Sequence, residues 1–209
     1  MAASDDFYVG FMTGVDDSYP ILVARNGTLW QVSVGQSPKY HHYFGGPLDL
    51  SVGGLPKNER PLHRVVTLDL TDRRLDVRIP GLSRLPLVYG FVYSSPVFKY
   101  QILSEGKVRI IEMSPRTSSD DWPYENYPDQ FGVKPLAFGP SRKMSRKKIR
   151  ELTCQGLDAN APDQLVVVVT PKEDFGVSLW GPEGDAEMVE LIFQVDPESG
   201  VVSVSNQCT

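Results

Sequence analysis

Cysteine and long apolar runs are both scarce in this sequence of 209 residues. Its two cysteines, Cys154 and Cys208, are too few for the disulfide framework of a small secreted domain. No apolar run approaches the roughly 18 residues that a membrane-spanning helix needs. Residues 1–6 contain neither the basic stretch nor the apolar stretch of a secretion signal. We therefore expect a cytoplasmic protein without a membrane partner and with reduced thiols, with a single Cys154–Cys208 bridge as the open alternative.

An excess of positive charge is also lacking. The formal net charge is −5 and the sequence pI is about 5.2, so the chain as a whole does not attract nucleic acid or anionic membranes. We expect no nucleic-acid partner on this ground. Hydrophobic residues make up 41% and charged residues 22%, which is typical of a folded globular chain. Residues 1–209 are predicted to form a single domain.

Turn residues are abundant, with 18 glycines and 17 prolines, and this favours short strands joined by turns. Asn26-Gly27 separates two β-prone runs, and both residues tolerate positive φ, so a type I′ hairpin is predicted there. Residues 104–106 and 196–200 predict two further hairpin turns.

Five successive apolar residues, 165–169, leave no polar face and predict a central strand covered on both sides. Alternating patterns predict other strands at residues 7–12, 65–70, 75–79, 87–93, 98–103, 108–113, 177–180, 188–195 and 201–205. The predicted fold class is mainly β, with α+β as the alternative. We expect about ten strands in antiparallel sheets, either sandwich-like or strongly curled.

One amphipathic basic helix is predicted over residues 142–155. Ser141 is a suitable N-cap after Pro140, and Gly156 a suitable C′ residue. Helical spacing places Met144, Ile149 and Leu152 on one side, and we expect this side to pack on the strand at 165–169.

Four cations of this segment have the i, i+3, i+4, i+7 spacing of one helix face: Lys143, Arg146, Lys147 and Arg150. Like charges at this spacing repel, so the arrangement costs stability and suggests an anionic partner, either an acidic protein or a phosphate-bearing ligand. The alternative is a solvated face, or one paired internally with the acidic loop described next.

An acidic loop at residues 118–131 interleaves carboxylates with aromatic rings. Trp122, Tyr124 and Tyr127 could supply flat apolar contact to a sugar or a cation, with hydrogen bonds accepted by the neighbouring carboxylates of Asp120, Asp121, Glu125 and Asp129. The alternative is a stiff surface loop whose aromatic residues pack under it against the core.

The three histidines, His41, His42 and His63, lie in one region together with Asp49 and Glu59. Histidine and carboxylate together can bind a divalent metal. Adjacent histidines on a strand point to opposite faces, so at most one of His41 and His42 would reach a shared site. The spacing matches no known ligand signature, and we expect neither a metal nor another cofactor.

Two main classes of function remain open, and a third, a structural role as a subunit, is also open. The first is a binding or interaction protein that engages an anionic partner through the basic helix, with the 122–131 loop beside it. The alternative is a hydrolytic or carbohydrate-active enzyme that uses the loop carboxylates or a histidine metal site. No set of nucleophile, base and orienting residue is visible, which favours the first class. The oligomeric state stays open.

Overall fold

The computed structural model describes residues 19–54, 62–91, 98–113, 128–145, 147–149, 164–170 and 189–208. Its strands are β1 (Ile21–Arg25), β2 (Thr28–Val34), β3 (His42–Phe44), β4 (Ser51–Gly54), β5 (His63–Asp69), β6 (Arg84–Tyr89), β7 (Phe98–Ser104), β8 (Lys107–Met113), β9 (Lys134–Lys143), β10 (Leu165–Val169), β11 (Val189–Val195) and β12 (Val201–Cys208).

All twelve strands belong to one hydrogen-bonded sheet, in the order β4-β8-β7-β12-β11-β10-β1-β2-β9-β3-β5-β6. Every pair is antiparallel except β4 with β8, which is parallel. The prediction of a mainly β, mostly antiparallel chain is therefore confirmed. The strands do not divide into the two sheets of a sandwich.

The local turn signals gave correct hairpins. Asn26 and Gly27 have φ of 48° and 66°, and Arg25 pairs with Thr28 across them, as a type I′ turn requires. The turns at 104–106 and 196–200 likewise join paired strands, β7 with β8 and β11 with β12.

Strand β10 has the two-sided burial expected from its five apolar residues. It lies between β1 and β11, and all five side chains are buried. Val167 packs in the main core on one face, and Val166 and Val168 pack in a smaller cluster on the other. Ile149 belongs to that smaller cluster, so the segment that contains it packs on the same side of the sheet as Val166 and Val168.

The sheet curls until strand β6, at one edge, comes into contact with β7, near the opposite edge. No backbone ladder joins these two strands, but the amide of Val88 in β6 donates a 2.9 Å hydrogen bond to the buried hydroxyl of Tyr100 in β7. Residues of both strands, including Tyr89 and Phe98, pack in the same main core. We call the line along which β6 faces β7 the seam.

Residues 70–82 connect β5 to β6 and pack against the main core without joining the sheet. Their apolar residues alternate as expected, with Leu75, Val77 and Ile79 buried. The strand predicted at 75–79 is nevertheless wrong, because Asp76 has a φ of 46° and the segment pairs with no described strand. Alternation here reflects burial alone.

The predicted basic helix is wrong at its beginning. Arg142 and Lys143 are the last residues of β9, where they pair with Leu29 and Thr28 of β2. This pairing extends the backbone, so non-local hydrogen bonds override the local helix signals. Residues 147–149 form a helical turn, and residues 146 and 150–155 lie outside the described residues.

Among the described residues, no helix is long and apolar enough to cross a membrane. The strands predicted at 7–12 and 177–180, and Cys154, lie outside the described residues. The single domain over 1–209 stays a prediction.

Candidate functional site

A buried polar network surrounds His42 at the start of β3. Its Nε2 lies 3.1 Å from a carboxylate oxygen of Asp72, and its Nδ1 accepts a 3.1 Å hydrogen bond from the backbone amide of Asp69. Since Nδ1 is an acceptor, the ring proton belongs on Nε2, which donates to Asp72. Burial lowers the pKa of His42, although Asp72 opposes this effect.

Asp72 stays ionised in this network. Burial is the largest single effect and would raise its pKa, but the hydrogen bonds and charge of Arg74, together with the hydrogen bond from His42, lower the pKa overall. The guanidinium of Arg74 also lies 4.5 Å from the centre of the Phe138 ring. His42 and Asp72 are fully buried and every histidine nitrogen is used, so this pair resembles a structural tie between β3 and the 70–82 segment. It leaves no base facing a substrate.

The other two histidines lie in different surroundings. His63 is buried between Phe91 and Phe131, and its Nε2 donates to the carbonyl of Pro128 at 2.7 Å. His41 is exposed, whereas His42 is buried. Across the described ranges, no three His, Cys, Asp or Glu residues converge into a group that could hold a metal ion.

Of the predicted basic stripe, the structure describes Lys143 and Lys147. Lys143 is exposed at the end of β9, and its Nζ donates to the hydroxyl of Thr28 at 2.8 Å. Lys147 is exposed in the helical turn at 147–149. The remaining predicted binding residues lie outside the described residues: Arg146, Arg150, Trp122, Tyr124 and Tyr127.

An open pocket of about 230 Å³ lies where the outer side of β3, β5 and β6 meets the turn between β7 and β8. We call it the seam pocket, and its lining is Tyr43, Asp49, Arg64, Thr67, Arg84, Pro86, Glu105 and Gly106. Strand pairing brings its wall together, because Tyr43 lies opposite Thr67 and Thr67 lies opposite Pro86. This volume is below the about 300–1,000 Å³ of pockets that hold drug-sized ligands, so the pocket has room only for a smaller molecule.

Arg64 places a buried positive charge in this wall. Only 7% of its side chain is exposed. One terminal nitrogen, Nη1, donates to the Tyr43 hydroxyl at 3.0 Å, and the other, Nη2, pairs with Asp49. Within the described residues its third nitrogen, Nε, is buried and has no hydrogen-bond partner.

Thr67 and Arg84 add further donors. The Thr67 hydroxyl is buried and has no partner among the described residues, and the whole residue is only 1% exposed. Arg84 is exposed at the start of β6. A buried hydroxyl without a hydrogen-bond partner lowers the stability of the folded state by about 1–3 kcal/mol. Such groups are rare in folded proteins, and one in the wall of a pocket suggests a ligand as the missing partner.

The two carboxylates of the pocket are already engaged. Glu105 accepts from both the hydroxyl and the backbone amide of Ser83, and these bonds lower its pKa. Asp49 is paired with Arg64, and its side chain is 66% exposed. Acid–base catalysis by two carboxylates needs one of them to hold a proton near neutral pH, usually through burial. Glu105 has the opposite surroundings, because the hydrogen bonds from Ser83 favour its ionised form.

Sequence reasoning missed this pocket because its residues are spread from 43 to 106 and meet only through strand order. One signal was present. Strand β5 places Arg64 and Thr67 among apolar residues without regular alternation, and all seven of its residues are buried. A charged residue in a fully buried strand marks either an ion pair or a site.

No family model matches the chain, and comparisons with curated proteins and with solved structures also find no match.

Proposed function

We propose that this protein is a cytoplasmic binding protein whose ligand is a small anionic molecule held in the seam pocket. The observation that carries the proposal is the excess of hydrogen-bond donors there. Within the described residues, Arg64 Nε and the Thr67 hydroxyl lack partners, and Arg84 lines the same pocket. The carboxylates beside them already accept hydrogen bonds from protein groups.

An anion offsets the cost of these unpaired donors. Hydrogen bonds to a charged group contribute about 1.5–3 kcal/mol each, roughly twice the contribution of neutral pairs. Burial of Arg64 strengthens the attraction further, because charges in surroundings of low dielectric constant are screened less than charges in water. The ligand is still expected to be an anion, but the proposed binding site is the seam pocket and not the 142–155 segment.

Thermal unfolding with small anions tests this function. The probes are succinate, acetate and inorganic phosphate, each compared with sodium chloride at equal ionic strength. A ligand at 100 times its Kd stabilises the folded state by about 2.7 kcal/mol. For a chain of this size that raises Tm by about 5–10 °C. If none of the three anions raises Tm above the chloride control, the proposal fails.

Two substitutions assign the effect to the pocket. Thr67→Val removes the unpaired hydroxyl without changing the size of the side chain, so it should preserve or raise Tm without ligand and weaken anion binding. Arg84→Gln removes an exposed charge and should also weaken binding. Arg78→Gln is the matched control, because Arg78 is an exposed arginine outside the pocket lining. Equal binding by all three variants would contradict the assignment.

A further inference from the structure

The seam pocket contains one contact that an incoming anion would have to replace. Asp49 lies on the segment between β3 and β4, and in the described structure its side chain makes a single polar contact, the ion pair with Arg64. Its carboxylate is 66% exposed, whereas the arginine is 7% exposed. Asp49 can therefore return to water at little cost, but Arg64 requires a counterion wherever Asp49 goes.

The geometry of the pair is incomplete. The Nε–H and one Nη2–H of a guanidinium point in the same direction and together match the two oxygens of a carboxylate. Asp49 engages only Nη2, and Nε has no partner among the described residues. Because Nε is buried in the present arrangement, a free carboxylate can reach both positions of this edge only when it takes the place of Asp49.

We propose that Asp49 is a built-in competitor for the seam pocket, and that the ligand is a small carboxylate which replaces it on Arg64. This inference rests on the proposed function and specifies its ligand. The ligand forms the two parallel hydrogen bonds that Asp49 forms only in part, and Asp49 turns to solvent. Arg84, in the same lining, favours a second anionic group on the ligand, so a short dicarboxylate is the preferred form.

The base of the segment that carries Asp49 is fixed. Gly45 and Gly46 have φ of 71° and 97°, and their amides donate to the carbonyls of Val65 and Phe131, both at 2.9 Å. A Cβ on Gly45 would lie 2.5 Å from the carbonyl oxygen of Gly132. The exchange therefore needs only rotation of the Asp49 side chain, while the backbone keeps its path.

The test is calorimetric titration of the full chain with succinate, using acetate and inorganic phosphate as comparison probes. Asp49→Asn keeps an oxygen that can accept from Arg64 and removes the competing charge. If Asp49 occupies Arg64 nine-tenths of the time, its neutralisation tightens succinate binding about tenfold. Asp49→Ala should also tighten succinate binding. This second variant keeps the test valid if Asp49→Asn fails to fold.

Glu112→Gln is the matched control, because Glu112 is an exposed carboxylate of β8 outside the pocket lining and the net charge changes equally. It should leave the affinity for succinate within about twofold of the original chain. Succinate binding that is unchanged or weaker in both Asp49 variants overturns the inference but leaves the proposed function intact. Tighter binding of phosphate than of succinate overturns the carboxylate class. Absence of binding by all three anions to every variant overturns both proposals.

Discussion

Replacing His42 with phenylalanine tests the network that ties β3 to the 70–82 segment. Phenylalanine fits the same space beside Phe138, whose ring centre lies 4.8 Å from that of the histidine. It can neither donate to Asp72 nor accept from the amide of Asp69. The substitution therefore removes two hydrogen bonds while it preserves most of the packing.

The expected loss of stability follows from those two bonds. A hydrogen bond to a charged acceptor such as Asp72 contributes about 1.5–3 kcal/mol, and a buried amide left without an acceptor costs about 1–3 kcal/mol. Arg74 still pairs with Asp72, so the carboxylate keeps a counterion. We expect His42→Phe to lower the free energy of unfolding by about 3 kcal/mol at pH 7, or Tm by about 6–12 °C.

The pH dependence gives a sharper result. The folded-state pKa of His42 lies below its ordinary value of 6.5, so the unfolded chain binds more protons between these two pKa values. The contribution of neutral His42 to the free energy of unfolding is fully present above pH 6.5 and is lost as the pH falls toward its folded-state pKa. The slope is at most about 1.4 kcal/mol per pH unit. The phenylalanine variant lacks this contribution, so the two stability curves converge on acidification.

Chemical denaturation of both proteins at several pH values between 7.5 and 5 measures this difference. His41 and His63 are present in both proteins, so their contributions cancel. The pKa values of Asp69 and Asp72 are lowered from 3.8, so these residues act mainly below this range. A difference in unfolding free energy that stays constant from pH 7.5 to 5 would refute the assignment to His42.

Two further predictions concern the core and the seam. Val166→Thr and Val167→Thr each bury a hydroxyl on one face of β10 and should each cost about 1–3 kcal/mol in a denaturant titration, whereas the same change at the exposed Val52 should alter stability by less than about 0.5 kcal/mol. A harmless change at either β10 position would contradict burial on both faces. Tyr100→Phe removes the acceptor of the Val88 amide, so stability should fall by about 1–3 kcal/mol, and hydrogen exchange at that amide should accelerate more than at other β6 amides.

The parts of the fold that follow from adjacent residues were predictable. A type I′ turn needs positive φ at two successive positions, and Asn26-Gly27 provides this without any distant contact. The apolar run of β10 likewise requires two covered faces wherever the strand is placed. Both predictions are confirmed because their physical cause lies within a few residues.

The predictions that failed depended on distant parts of the chain. Residues 140–143 carry helix-start signals, yet Arg142 and Lys143 pair with β2, more than 100 positions earlier in the sequence. Residues 75–79 alternate like a strand, yet they pack on the core without a pairing partner among the described strands. Local pattern reports which side chains are buried, but strand pairing decides the backbone conformation.

The seam pocket illustrates the same limit for the site. Arg64 and Thr67 could be noticed as polar residues in a buried strand, but nothing local places Arg84 or Glu105 beside them. Their proximity results from the order β3-β5-β6 and from the curl that brings β6 to β7. The basic run at 142–150 is visible in the sequence because it is contiguous, whereas the residues of the pocket come from five separate segments.

The most direct test of anion binding in the seam pocket observes the Arg64 Nε–H itself by proton–nitrogen NMR during titration with succinate. If succinate binds there, this signal should move downfield to saturation as the nitrogen gains an acceptor, while the Nε–H signal of the exposed Arg78 stays in place. Binding of succinate with no change at Arg64 Nε–H, or equal small shifts at both arginines, would contradict the account.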